Sequence, residues 1–175
     1  MPRDMRFLLA LLILTQPVFA DGLGINFAAF PPGTKFYYRD SADGPFVERY
    51  LGMQEGRHAV ARHLSHEFSE VVLTRYYSAE GLEVGRSYAS GREVSYEPFN
   101  CERGLGRCSH EVVTDRGARR VSGKVLEDPD GYRFELTFEG ASDTRRRYFR
   151  LGQHGVMEFI RENDRQRKLE SIERP

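Results

Sequence analysis

The sequence predicts an all-β domain: an antiparallel up-and-down meander of about ten strands, closed or half-closed into a barrel, with a two-layer β-sandwich as the alternative. Three observations predict it. Short aromatic and β-branched runs recur between turn signals from Thr34 to Arg161, the rhythm of hairpin-connected strands. The apolar content sits in Phe, Tyr, Val and Leu, with no Trp, a mixture that suits half-buried strands. One run alternates strictly, with Tyr132, Phe134, Leu136 and Phe138 set between Arg133, Glu135, Thr137 and Glu139, as in a strand with one dry and one wet face. So many strands in one open sheet would leave two bare edges and a broad uncovered apolar face. Closure, or folding into two layers, resolves both.

The chain opens with Arg3 and Arg6, runs through apolar Phe7 to Leu14, breaks at Thr15-Gln16-Pro17 and reaches Val18-Phe19-Ala20. That is the order of a secretory signal, and its apolar core falls far short of the roughly 20 residues that span a bilayer. Residues 1–20 are therefore expected to be a signal peptide cleaved after Ala20, and the product to be exported, periplasmic or secreted. No cysteine precedes Cys101, so no lipid-bearing thiol is expected at the cut.

Residues 21–33 are Gly-rich and apolar without period, ending in Phe30-Pro31-Pro32-Gly33, and read as an irregular entry segment lying across the domain. Residues 34–161 form the single β domain. Its first hairpin is signalled by Asp43-Gly44 between the runs Thr34 to Arg39 and Phe46 to Leu51. Arg57 to Leu64, Phe68 to Tyr77, Leu82 to Ala89 and Arg92 to Tyr96 follow, with Gly81 and Gly91 at turns. After the cysteines come His110 to Thr114 and Ala118 to Leu126. Asp128-Pro129-Asp130-Gly131 then makes a turn in which Pro129 presets its own backbone angle. Arg145 to Leu151 and Val156 to Arg161 complete the strands. Residues 162–175 are nearly all charged or polar and are expected to be a frayed tail or a short amphipathic helix through Leu169 and Ile172.

The 26 basic and 26 acidic residues balance, and removing Arg3, Arg6 and Asp4 with the signal changes that by one charge. A near-neutral chain has no global field to draw it onto nucleic acid or an anionic membrane. Arginine-rich strands such as Ala118-Arg119-Arg120-Val121 argue against a membrane barrel, since each such charge at mid-bilayer costs about 2 to 4 kcal/mol.

Cys101 and Cys108 are an even pair in a chain expected to be exported, with Gly104 and Gly106 between them, and are expected to form a disulfide. So short a loop contributes on the order of 2 to 3 kcal/mol. Neither thiol falls into a zinc spacing with His110 or the other histidines. A candidate polar or metal site is His58, His63, His66 and Glu67. On a strand, His58 and His63 differ by an odd number and face opposite ways; on a helix, His63, His66 and Glu67 would share a face. A candidate anion site is Arg145 and Arg147, which share a strand face with Phe149. Glu135 and Glu139 are the carboxylates expected to answer the Arg145-Arg146-Arg147 run. No nucleophile elbow and no cofactor motif is present. The expectation is a non-catalytic soluble envelope protein that binds an apolar or amphiphilic small molecule, or an envelope partner protein. The alternative is an enzyme or metal protein using the histidine segment.

Overall fold

The computed structural model describes residues 23–65 and 70–175; the expected signal peptide, His66 and Glu67 lie outside them. Twelve strands follow one another: β1 Lys35–Asp40, β2 Gly44–Gln54, β3 Arg57–His63, β4 Val71–Tyr77, β5 Glu83–Tyr88, β6 Glu93–Glu97, β7 Gly106–Thr114, β8 Gly117–Asp128, β9 Gly131–Phe138, β10 Thr144–Leu151, β11 Met157–Glu162 and β12 Arg165–Glu173. Each pairs antiparallel with its sequence neighbours, and β12 returns to pair with β1, from Lys35 opposite Glu173 to Asp40 opposite Arg167. The result is a closed barrel with no sheet edge left to cover.

The class agrees with the sequence reading and the count does not. The expected polar tail is the closing strand: β12 spans residues that carry charge on both faces. Its inward positions include Arg165 and Arg167 and its outward ones Lys168 and Glu170. A strand is recognised in sequence by a dry face, and this one lacks it because the barrel interior beside it is itself polar.

Outward positions carry exposed charge around the barrel, among them Arg39, Arg49, Arg133, Arg146, Arg150 and Arg161. A lipid-facing band would have to bury them. No helix among the described residues is long and apolar enough to cross a membrane.

One end of the barrel is plugged by residues 23–34. Phe27, at the start of a single-turn helix, packs on His58 with ring centroids 4.4 Å apart, on Tyr50 at 4.9 Å and on Tyr77 at 5.2 Å. Phe30 meets Phe36 edge-on at 5.2 Å. The backbone is tied to three loops at that end, with the Leu23 amide donating to the Arg103 carbonyl, Ile25 to Gly81 and Asn26 to His154. Gly81 turns at φ +74° and lies so close to Ile25 that a Cβ there would fall on its backbone, so only glycine lets the plug seat. Burying these rings gives the plug its stability, about 1.5 to 3 kcal/mol for each Phe fully removed from water.

The apolar core therefore has two centres. One is the plug with Phe36, Tyr38, Phe46, Tyr50, Val60, Tyr77 and Val156. The other lies across the barrel on β8, β9 and β10, where Val121, Val125, Phe134, Leu136 and Phe149 pack with Cys101. Cys101 and Cys108 are joined, with Cα atoms 5.8 Å apart. Their bridge holds the loop between β6 and β7 against this second centre. The opposite end of the barrel is bounded by hairpin turns at 41–43, 89–92, 115–116, 139–143 and 163–164.

Candidate functional site

The space between the two apolar centres is charged. A cavity of about 360 Å³ runs from Phe27 of the plug to Asp40 and Arg165 beside the hairpin turns. Its floor is apolar, formed by Ile25, Phe27, Phe36, Tyr38, Val60, Tyr77 and Val156. Its walls carry eight arginines (Arg62, Arg75, Arg86, Arg103, Arg145, Arg147, Arg165 and Arg167) against five carboxylates (Asp40, Glu48, Glu83, Glu102 and Glu162). The difference is three positive charges; Arg145 and Arg165 are about half exposed, Arg165 meeting Asp43 as well, and the other six arginines are largely enclosed.

Strand periodicity places these groups. Inward positions on β2, β3 and β4 put Glu48 opposite Arg62 and Val60 opposite Arg75. On β4 and β5, Arg75 stands directly opposite Arg86, a like-charge cross-strand pair that is destabilising by itself. On β10, alternation turns Arg145, Arg147 and Phe149 inward and Arg146 outward.

The carboxylates are fully engaged. Asp40 accepts from Arg165 and from Arg167, whose Nη2 is 3.2 Å away, and from the Ala42 amide at 3.0 Å. Burial alone would push its carboxyl up, but these donors hold it down at about 2. Glu48 Oε1 takes Arg62 Nη2 at 2.5 Å and Arg75 Nη1 at 3.5 Å. Burial again opposes ionisation there, and the two guanidiniums overcome it, to about 2. Glu83 is bound through both oxygens by Arg86. Glu102 pairs with Arg147 at 2.5 Å and is likewise held at about 2 against burial. Glu162 takes Arg147 at 2.7 Å and also Arg145.

The arginines are not fully engaged. Burial lowers both Arg62 and Arg75; Glu48, together with Tyr77 and Glu83, more than offsets this for Arg75, and Glu48 does not offset it for Arg62. Arg62 also lies near Arg75 and Arg167 and falls to about 10, still charged at neutral pH. The Nε of Arg75 is shielded from solvent without a hydrogen-bond partner among the described residues, a costly state for a charged donor. Arg103 donates to the carbonyls of Leu23 at 2.8 Å and Gly155 at 2.7 Å, pinning the plug through dipoles rather than through a carboxylate. Phe46 lies beneath both Arg62 and Arg167, at 4.4 Å and 4.9 Å from its ring centre, and holds the two guanidiniums toward the cavity.

A second lobe of about 310 Å³ adjoins the first, sharing Arg86, Tyr88, Glu102, Arg145 and Arg147 with it. Its far wall is apolar: Val94, Tyr96, Val112, Val121, Phe134, Leu136 and Phe138. The interior is thus a charged centre between two apolar surfaces.

Of the residues expected from sequence, Arg145 and Arg147 line both lobes. Their partners are Glu162 and Glu102; Glu135 faces outward and meets Arg146 at 3.6 Å. His58 points inward, hydrogen-bonded to Tyr50 at 2.7 Å and stacked on Phe27, while His63 lies on the outer face opposite Val47. The two do not converge, and burial lowers both imidazole pKa values. No cluster of metal-ligating side chains forms among the described residues. His110 is buried, accepting from the Cys101 amide at 3.3 Å, a structural role beside the disulfide. The arginines that alternation alone did not single out are Arg62, Arg75, Arg86, Arg165 and Arg167. Parity with apolar neighbours on a recognised strand finds Arg62 beside Val60 and Arg75 beside Leu73, whereas Arg165 and Arg167 lie on β12, whose sequence gives no such signal.

No protein-family model matches the chain, and neither a curated protein nor a solved structure matches it.

Proposed function

We propose that this protein is an exported, non-catalytic binding protein that holds an anionic amphiphile inside its barrel. The observation that carries the reading is the three-charge excess of arginine over carboxylate in a cavity with an apolar floor. Uncompensated charge removed from water is expensive, and an anion whose apolar part meets the floor or the second lobe would offset both the charge and the empty apolar surface. Cavities of this size are common small-molecule sites, and this one joins an apolar floor to a charged wall. Export rests on the first twenty residues and fits a binding role outside the cytoplasm.

Titration with an anionic naphthalenesulfonate dye tests the reading. The expected result is saturable binding with a rise in emission, reversed by decanoate but not by decylamine. Absence of any change in emission, or equal displacement by the cationic amphiphile, would overturn it.

A further inference from the structure

We propose that the ligand's head group is a dianionic oxyanion of the phosphate-monoester class, seated on Arg75 and its neighbouring arginines, with its apolar part in the second lobe. This rests on the reading of the barrel as a container for an anionic amphiphile and narrows it to one head-group chemistry.

Three features select a dianion over a carboxylate. The excess is three charges, so a monoanion leaves most of it standing. Arg75 and Arg86 stand directly opposite on adjacent strands, and Glu83 forks onto Arg86 and also accepts from Asn100. A group placed between them must face two cations at once. Arg75 shares with Arg62 a single oxygen of Glu48, at the longer distance of 3.5 Å. A guanidinium so loosely held matches an oxyanion that presents several oxygens in different directions. A phosphate monoester has three terminal oxygens and a second charge above about pH 6; a carboxylate has two oxygens in one plane.

The position of the tail follows from the shape. The two lobes meet at Arg86 and Arg147, so a head on Arg75 has the apolar wall of Val112, Val121, Phe134 and Leu136 within its reach across that junction. Five carboxylates in the same space repel further negative charge, which sets an upper limit on ligand charge as the arginines set a lower one.

Calorimetric titration of the full protein at about pH 8, where the phosphate is doubly charged, tests this with decyl phosphate, decanoate and inorganic phosphate. Decyl phosphate is expected to bind about tenfold or more tighter than decanoate, and Arg75→Gln to abolish that preference. Inorganic phosphate separates the sources: affinity equal to that of decyl phosphate would remove the tail from the proposal and overturn it. Equal binding of decyl phosphate and decanoate overturns the head-group assignment and leaves the container reading standing; binding of neither overturns both. Should Arg75→Gln not fold, Arg75→Lys serves in its place, keeping the charge without the fork. It is expected to lose the phosphate preference, and an unchanged preference contradicts the role given to Arg75.

Discussion

Arg146 and Arg147 are consecutive residues of one strand and do opposite things. Arg146 points to solvent, is 72% exposed and lies 3.6 Å from Glu135. Arg147 points into the barrel, is 22% exposed, and is gripped by Glu102 at 2.5 Å and Glu162 at 2.7 Å. Strand alternation alone separates them. The lesson is that charge on this barrel is of two kinds. The outer kind is solvated and worth little pair by pair, whereas the inner kind forms a network in which Asp40, Glu48 and Glu162 each hold two arginines, Glu83 and Glu102 hold one, and the arginines remain in excess.

Acid is expected to break this contrast most severely, because it discharges several inner carboxylates together. Asp40, Glu48 and Glu102 are held at about 2, below ordinary values of 3.8 for Asp and 4.5 for Glu. In that window the unfolded chain binds more protons than the folded one, so stability rises with pH. The contribution is complete above about pH 5 and is lost as pH falls toward 2. His58, His63 and His110, whose burial lowers them below 6.5, add a smaller loss that begins as pH drops through that value. Urea unfolding at a series of pH values checks this, and a stability that stays flat down to pH 3 would show the carboxylates to be unpaired.

Glu48→Gln is the largest single-residue effect expected. It leaves Arg62 and Arg75 facing one another in the interior, and breaking a buried pair in this way costs about 3 to 5 kcal/mol. Denaturant unfolding of the variant measures it. Arg75→Met should move stability the other way. It removes a cation whose Nε has no partner among the described residues and leaves Glu48 with Arg62, so a gain of about 1 kcal/mol is expected in ligand-free protein. Arg146→Ala is the smallest, within about 0.5 kcal/mol, and a loss comparable to that of Glu48→Gln would erase the distinction between the two faces.

The fold was readable where the interior is apolar and obscure where it is charged. Strand β9 announces itself because Tyr132, Phe134, Leu136 and Phe138 all face inward against a dry wall. Strand β12 does not, because Arg165 and Arg167 face an interior that contains Asp40, and a polar lumen removes the alternation by which strands are found. Parity likewise separated His58 from His63 and grouped Arg145 with Arg147. It was silent on Glu102, which comes from the disulfide loop, and on Glu162, from the next strand, since both depend on how the barrel closes. Excess interior charge is a property of closure and is absent from the near-neutral composition, which averages the two faces together.

Because Arg75 is both a cost to the empty barrel and the proposed seat of its ligand, thermal melting of wild type and Arg75→Met, each with and without decyl phosphate, probes both roles at once. Ligand that binds only the folded state raises the midpoint in proportion to its affinity. A crossing is expected: the variant melts higher when both are empty, and wild type melts higher when both are saturated. A variant that is less stable empty, or that gains as much from decyl phosphate as wild type does, would contradict it.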